Sequence, residues 1–150
     1  MSALDISIRA QIINLLNTLR LDYHLSLFFI SHDLSIVKQI SDRVMVMYLG
    51  KIIESGDTDS LYRNPKHPYT QLLIKSVPVP SPGHRQSVDF SRLSTELPSL
   101  VNPLSGCFFY RRCSIARERC LTDPPMLKKI ENSSTGRLVA CHYATPGDSD

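Results

Sequence analysis

The chain has 150 residues, 42% of them apolar and 21% charged, and its 17 Lys and Arg against 14 Asp and Glu give a net charge of +3. The length supports one ordinary domain, or a small domain with an appendage, and the apolar fraction argues against a disordered chain. The net charge is too small for a nucleic-acid binder held by phosphate neutralisation. Because no apolar run approaches the ~20 residues of a membrane span and the N-terminus lacks the features of an export signal, we expect an intracellular protein.

The first elements follow from apolar spacing. A helix is predicted near the N-terminus, with Asp5 or Ser7 as its cap, because apolar residues recur there every three or four positions: Ile8, Ile12, Leu15, Leu16 and Leu19. The nearly continuous apolar run at residues 25–30 predicts a strand buried on both faces of a parallel sheet, with a buried helical turn as the alternative. Asp33 can cap a helix over residues 34–40, whose inward-facing residues would be Ile36, Val37 and Ile40.

A hairpin and two short helices come next. Apolar stretches at residues 44–49 and 52–54 flank Gly50-Lys51, which predicts a tight turn, and Gly56 ends the hairpin. Asp57 or Thr58 can cap a short helix that Asn64-Pro65 stops. Pro68 suits the first turn of another helix, with one shared face predicted for Tyr69, Leu72, Leu73 and Val77.

Composition divides the chain into three parts. Compact α/β material reaches about residue 77, and a proline-rich stretch at residues 78–103 predicts an extended strap. A cysteine-bearing segment follows at residues 104–150, the end of which reads as a frayed tail. A parallel sheet also needs further strands, since one buried strand and a hairpin cannot cover each other on both faces.

Three stretches occur in a distinctive order: Ser2-Ala3-Leu4-Asp5, Phe29-Ile30-Ser31-His32-Asp33, and the hairpin of residues 42–56. Together they resemble the C-terminal part of an ABC-transporter ATPase subunit, in which they are similar to the D-loop, the switch-histidine segment and the hairpin after it. Asn64-Pro65-Lys66-His67-Pro68-Tyr69-Thr70, the strap and the cysteines resemble the extension of oligopeptide, dipeptide and nickel importers. We assign no chemical role to the His-Pro-Tyr sequence, since a proline-started helix anchored by a buried tyrosine explains it.

The resemblance implies a fold and a domain order. The fold class is α/β, the C-terminal part of a P-loop (RecA-like) ABC ATPase domain at residues 1–56, with a helical extension at 57–77. The proline-rich strap at 78–103 and a small irregular cysteine-containing extension at 104–150 complete the chain.

The same resemblance implies roles for His32 and Ser2-Ala3-Leu4-Asp5. His32 follows the predicted strand at its carboxyl end, where open parallel sheets bind ligands, and it would donate a hydrogen bond to a γ-phosphate oxygen and help hold the attacking water. The alternative is a histidine at a helix start with only a capping contact. Asp5 can cap its helix while the D-loop Ser2, Ala3, Leu4 and Asp5 faces the partner subunit.

The expected ligands and partners are those of an intact transporter subunit. ATP and Mg²⁺ would lie between two ABC ATPase subunits, which drive integral-membrane permease subunits at the inner face of the plasma membrane, from the cytoplasmic side. The sequence contains no Gly-x-x-x-x-Gly-Lys-[Ser/Thr] phosphate loop, no signature motif and no acidic Walker B pair ahead of Ser2. We therefore expect a truncated or split subunit that binds no ATP alone, or a decayed reading frame.

The four cysteines, Cys107, Cys113, Cys120 and Cys141, leave three interpretations open. None is separated from another by the two to four residues that structural zinc sites use, which argues against a zinc ribbon. Four thiolates can hold a [4Fe-4S] cluster, which the resemblance favours, and unliganded thiols or disulfide pairs are the third possibility. The alternative function is accordingly a non-enzymatic iron–sulfur or zinc module with a structural or redox-sensing role.

Overall fold

A computed structural model describes residues 3–77, 105–130 and 136–144, with the backbone alone at residues 3–7 and 9. The proline-rich strap expected at residues 78–103 lies outside these ranges. The chain divides into two compact units, Met1–Asp42 and Arg43–Asp150.

The first unit contains two helices, as the apolar spacing predicts. Helix α1 covers Ala3–Asp22 and helix α2 covers Leu34–Ile40. Asp33 caps α2 by accepting hydrogen bonds from the backbone amides of Ser35 and Ile36, at 3.1 and 3.3 Å, which confirms the predicted start. Arg20, in the last turn of α1, donates to the Asp42 carboxylate at 2.9 Å and so ties α1 to the end of α2.

The prediction of a buried strand at residues 25–30 is wrong. The backbone there is irregular, and five of its side chains are 41–84% exposed: Leu25, Leu27, Phe28, Phe29 and Ile30. An isolated extended segment cannot satisfy its backbone groups, and the described residues of this unit include no strand that could pair with it. Helix α2 likewise buries none of its side chains, so Ile36, Val37 and Ile40 are only half-buried.

The second unit begins with the predicted hairpin. Strands β1 (Arg43–Tyr48) and β2 (Lys51–Asp57) pair antiparallel. The turn residues are Leu49 and Gly50, with φ angles of 45° and 76°, so the expected turn at Gly50-Lys51 is wrong by one position. Side chains alternate along β1, which exposes Arg43, Met45 and Met47 and buries Val44, Val46 and Tyr48.

Two short helices follow the hairpin where the cap residues predict them. Helix α3 covers Thr58–Arg63 and helix α4 covers Pro68–Lys75. The Asp57 carboxylate caps α3 through the Ser60 amide at 2.9 Å. Within α4 the buried residues are Pro68 and Thr70, whereas the face predicted from Tyr69, Leu72 and Leu73 is half-buried.

The cysteine-bearing segment joins the same sheet as the hairpin. After a 3₁₀ turn at Tyr110–Arg112 it forms helix α5 (Arg119–Thr122) and strands β3 (Lys128–Lys129) and β4 (Leu138–Val139). The sheet order is β1-β2-β4-β3 and every pairing is antiparallel. The fold is therefore α/β, but the sheet of the described residues is a small antiparallel one and not the parallel sheet we expected.

The core of the second unit lies under this sheet and its flanking helices. Its buried apolar side chains include Val44, Val46, Ile53, Leu61, Phe109 and Val139. Across the described ranges, no helix has the length and hydropathy that a membrane span requires.

Candidate functional site

The predicted nucleotide-contacting residues all lie in the first unit. Ser2 is outside the described residues, and the backbone of Ala3, Leu4 and Asp5 forms the start of α1. His32 is exposed and immediately precedes Asp33, the cap of α2. The side chain of His32 is thus open to solvent, as a ligand contact requires, and its role stays a prediction.

The turn that carries His32 is held on both sides. The Asp33 amide donates to the Ser31 hydroxyl at 3.0 Å, and the Asp33 carbonyl accepts from the Val37 amide at 3.1 Å. These bonds fix the backbone around position 32 although the preceding residues have no sheet partner. The sequence correctly predicted the capped helix but not the open segment before it.

The second unit is organised around the buried carboxylate of Glu54, which is 0% exposed. Its Oε1 accepts from the Lys66 amide and from Arg137 Nη2, each at 2.8 Å, and its Oε2 accepts from the His67 amide at 2.8 Å. Both oxygens therefore have charged or amide donors, which is the condition under which a carboxylate tolerates burial.

Arg137 extends this network to the helices. Its Nη2 also donates to the Asn64 carbonyl at 2.8 Å, and its Nη1 donates to the Ser60 carbonyl at 3.2 Å. The arginine stem passes over Gly56, where a Cβ would come within 2.8 Å of Arg137 Cγ. Glycine at position 56 thus leaves room for the side chain that joins β2, the end of α3 and the segment before β4.

The His-Pro-Tyr sequence has a structural role that the sequence alone did not reveal. His67 is 2% exposed, and its Nδ1 accepts from the Tyr69 amide at 3.0 Å, so that it caps α4. Burial lowers the pKa of His67 to about 4, which keeps the imidazole neutral at pH 7. His67 and Pro68 are the buried members of the motif, whereas Tyr69, which we expected to be buried, is half-buried and packs on Tyr48 with ring centroids 4.7 Å apart.

Phe109 connects the motif to the cysteine-bearing segment. Its ring lies 5.4 Å from that of Tyr48, 5.5 Å from that of Tyr69 and 5.9 Å from that of His67. Such edge-on and tilted contacts between aromatic rings add stability beyond burial alone. The hairpin, α4 and the cysteine-bearing segment therefore share one core.

Sequence reasoning missed Glu54 and Arg137 as partners. Glu54 is the single acidic residue in the strand segment Ile52-Ile53-Glu54-Ser55-Gly56. A lone carboxylate between apolar and small residues was the one local sign that this side chain is buried and needs a partner. Its partner is 83 positions away, a separation that no local pattern reports.

The four cysteines surround one small cavity of about 10 Å³, to which His67 and Phe109 also contribute. The Cys107 amide donates to the Cys120 carbonyl at 2.8 Å. This close approach depends on Gly106, because a Cβ there would overlap the backbone of Cys120 and Leu121. A cavity of this size holds roughly one water molecule.

The cavity does not fit the expected metal or cluster. Within residues 3–77, 105–130 and 136–144, no three His, Cys, Asp or Glu side chains are grouped so that they could hold a metal ion. Burial raises the pKa of Cys107 and Cys141, and that of Cys113 to about 11. The iron–sulfur and zinc interpretations therefore receive no support from the described residues. Thiols with a raised pKa also react slowly at neutral pH, so the redox-sensing interpretation receives none either.

Comparison with known proteins identifies the class of protein. The chain is 51% identical over 145 residues to the oligopeptide transport ATP-binding protein OppF of Salmonella typhimurium, covering 97% of this chain and 42% of that protein. It is 50% identical over 143 residues to AppF of Bacillus subtilis, another oligopeptide transport ATP-binding protein, covering 94% and 42%. It is 47% identical over 142 residues to the dipeptide transport ATP-binding protein DppF of Haemophilus influenzae, covering 95% and 42%.

The chain is therefore related to the ATP-binding proteins of peptide transporters, and it spans about two fifths of the length of these curated relatives. Residues 53–120 match the family described as oligopeptide/dipeptide transporter, C-terminal region. This match and the relatives named above confirm the resemblance of the chain to the C-terminal part of such a subunit. The matched range contains Glu54, the His-Pro-Tyr sequence and three of the four cysteines.

Proposed function

We propose that this chain supplies the C-terminal part of an ATP-hydrolysing subunit that powers oligopeptide or dipeptide uptake. One observation carries the proposal: identity of 47–51% extends over 94–97% of the chain to proteins named for peptide transport and ATP binding. The match includes both the His32 turn and the second unit, so it does not depend on a single motif.

His32 is the residue proposed to act on the nucleotide. An imidazole can donate a hydrogen bond to a γ-phosphate oxygen and help hold the attacking water. The exposed side chain and the fixed turn at Ser31 and Asp33 support this role. For Ser2, Ala3, Leu4 and Asp5 we propose the D-loop role at a dimer interface with a second ATPase subunit.

ATP and Mg²⁺ belong, in this proposal, to the complete subunit. The 150 residues contain no phosphate-loop sequence, so the donors that cradle the β- and γ-phosphates have to come from elsewhere. The bound nucleotide would provide the phosphoryl group whose transfer drives the membrane partners. We propose that the chain alone retains no ATP and that the assembled subunit works at the inner face of the plasma membrane with permease subunits.

A chimera tests the proposal. The matching two fifths of the Salmonella typhimurium relative are replaced by this chain, and ATP hydrolysis and peptide uptake are measured. We expect both activities in the chimera, and we expect His32→Ala to lower hydrolysis by roughly a hundredfold or more while nucleotide binding persists.

His24→Asn is the matched control. His24 has a φ of 50°, which asparagine tolerates, and it lies in the same unit as His32. We expect this variant to hydrolyse ATP at the rate of the unsubstituted chimera. An unchanged rate in His32→Ala would refute the role of position 32, and micromolar ATP binding by the 150-residue chain alone would refute the need for a separate phosphate loop.

A further inference from the structure

We propose that the outer edge of the second unit binds anionic lipid headgroups. We call this surface the basic edge and define it by exposed residues around α5 and β3: Arg117, Arg119, Leu121, Met126, Leu127, Lys128 and Lys129. Strand β3 lies at the edge of the sheet opposite β1, and because side chains alternate along a strand, its two lysines lie on opposite faces of this edge. A flat charged surface that approaches this margin meets both lysines at once.

Charge segregation points to an anionic partner. Residues 105–144 contain seven Lys and Arg against three Asp and Glu, a net charge of +4, whereas the whole chain has only +3. The remaining residues therefore have a net charge of −1. Three of the arginines have internal partners: Arg137 pairs with Glu54 and Arg119 with Asp123, each at 2.8 Å, and Arg117 lies over the Tyr143 ring, 4.4 Å from its centroid. The exposed charge of this segment thus rests mainly on the lysines of β3 and on nearby arginines.

The apolar neighbours of the lysines favour a membrane over an acidic protein. Met126 is 75% exposed and Leu127 is 39% exposed, and both directly precede Lys128-Lys129. Exposed apolar side chains next to basic ones are typical of surfaces that lie in a membrane interface, where the apolar groups enter the acyl boundary and the cations contact headgroups. The inference extends the proposed function, which places the subunit at a membrane, by adding a direct lipid contact.

A simpler reading is that the lysines only prevent the edge strand from pairing with another chain. That reading predicts no dependence on lipid charge. The two explanations therefore differ in a measurable way.

Vesicle flotation with the full 150-residue chain distinguishes them. Binding is measured to phosphatidylcholine vesicles and to vesicles that also contain phosphatidylglycerol. The neutral vesicles report any adsorption through the exposed apolar residues of the first unit. We expect stronger binding to the anionic vesicles, a loss of about fivefold for each lysine in Lys128→Gln/Lys129→Gln, and weakening by added salt.

Lys51→Gln/Lys75→Gln is the matched control, because it removes the same charge from two exposed lysines outside the basic edge. We expect it to bind the anionic vesicles nearly as well as the unsubstituted chain. Met126→Ser, which leaves the charge unchanged, should also weaken binding and provides a second variant if the double substitution fails to fold.

Three results would overturn the inference: equal binding to both kinds of vesicle, equal losses in the two double variants, or capture of the chain by polyglutamate but not by anionic vesicles. None of these readouts involves ATP hydrolysis. If the lipid-binding inference is overturned, the chimera test of the proposed function is therefore unaffected.

Discussion

At the residue scale, the neutral histidine at position 67 makes the second unit sensitive to acid. Its pKa is about 4 in the fold, against 6.5 for an ordinary histidine, so between these values the unfolded chain binds more protons. The free energy of unfolding should therefore fall by about 3 kcal/mol as the pH drops from about 6.5 to about 4. Urea unfolding at several pH values in this window, followed by circular dichroism, measures the decline.

The variant His67→Asn keeps an oxygen that can cap α4 but removes the titrating ring. We expect its stability to depend less on pH between about 6.5 and 4. His24→Asn, on an exposed histidine of the first unit, should leave the slope unchanged. A slope that is identical in the original chain and in His67→Asn would contradict the assignment.

The two histidines also show what a single sequence can reveal at this scale. The position of His32 before a capped helix was predictable, because the Asp33 cap and the apolar spacing of α2 are local signals. The burial of His67 was not, because it results from the Glu54 carboxylate and the Phe109 ring, which come from distant parts of the chain. Side-chain patterns report a residue's neighbours in sequence and not its neighbours in space.

At the element scale, the ion pair of Glu54 and Arg137 holds β4 and its flanking segment on the hairpin. Removing one partner of a buried pair leaves an uncompensated charge and costs about 3–5 kcal/mol. We expect losses of this size for Glu54→Gln and for Arg137→Met, and a smaller loss in the double variant than the two single losses combined. Chemical unfolding of the four proteins gives the coupling energy, and strictly additive losses would contradict a direct pair.

Arg119→Met provides the comparison for a surface pair. Arg119 and Asp123 also lie 2.8 Å apart, but both side chains are largely open to solvent. Solvent screens exposed pairs and leaves them with little effect on stability, so this variant should unfold close to the original midpoint. The contrast separates the effect of burial from the effect of charge.

Elements were predictable where they depend on short-range signals. The hairpin, the caps at Asp33 and Asp57 and the proline start of α4 were all confirmed. Strands β3 and β4 were not foreseen, since two residues show no periodicity and β4 pairs with a strand more than eighty positions earlier. The prediction of a strand at residues 25–30 was wrong for a different reason. An apolar run indicates burial, but a buried strand also needs neighbouring strands, and the described residues of the first unit include none.

At the scale of the whole molecule, the first unit exposes an unusually large amount of apolar surface. Helix α1 leaves Ile8, Ile12 and Leu15 more than half exposed, and the segment at residues 25–30 adds two aromatic rings. Surfaces of this kind bind partners or cause self-association. We expect the isolated chain to bind the dye ANS at pH 7 and to associate with increasing concentration.

Phe28→Ser/Ile30→Ser should reduce both dye binding and association without lowering the unfolding midpoint, because both side chains are already exposed. Met45→Ser/Met47→Ser removes two exposed apolar side chains from the second unit and should have a much smaller effect. Fluorescence titration and light scattering measure the two properties. Equal effects of the two double variants would show that the first unit is not the source.

The outward-facing methionines of β1 have a practical consequence for studies of how this chain associates with other molecules. Met45 and Met47 project from the sheet, while the side chains between and beyond them, Val44, Val46 and Tyr48, are buried. Peroxide would therefore convert these two thioethers to sulfoxides without disturbing the interior. The rate at which these two methionines are oxidised can be measured by mass spectrometry. This rate should fall only when another surface covers strand β1.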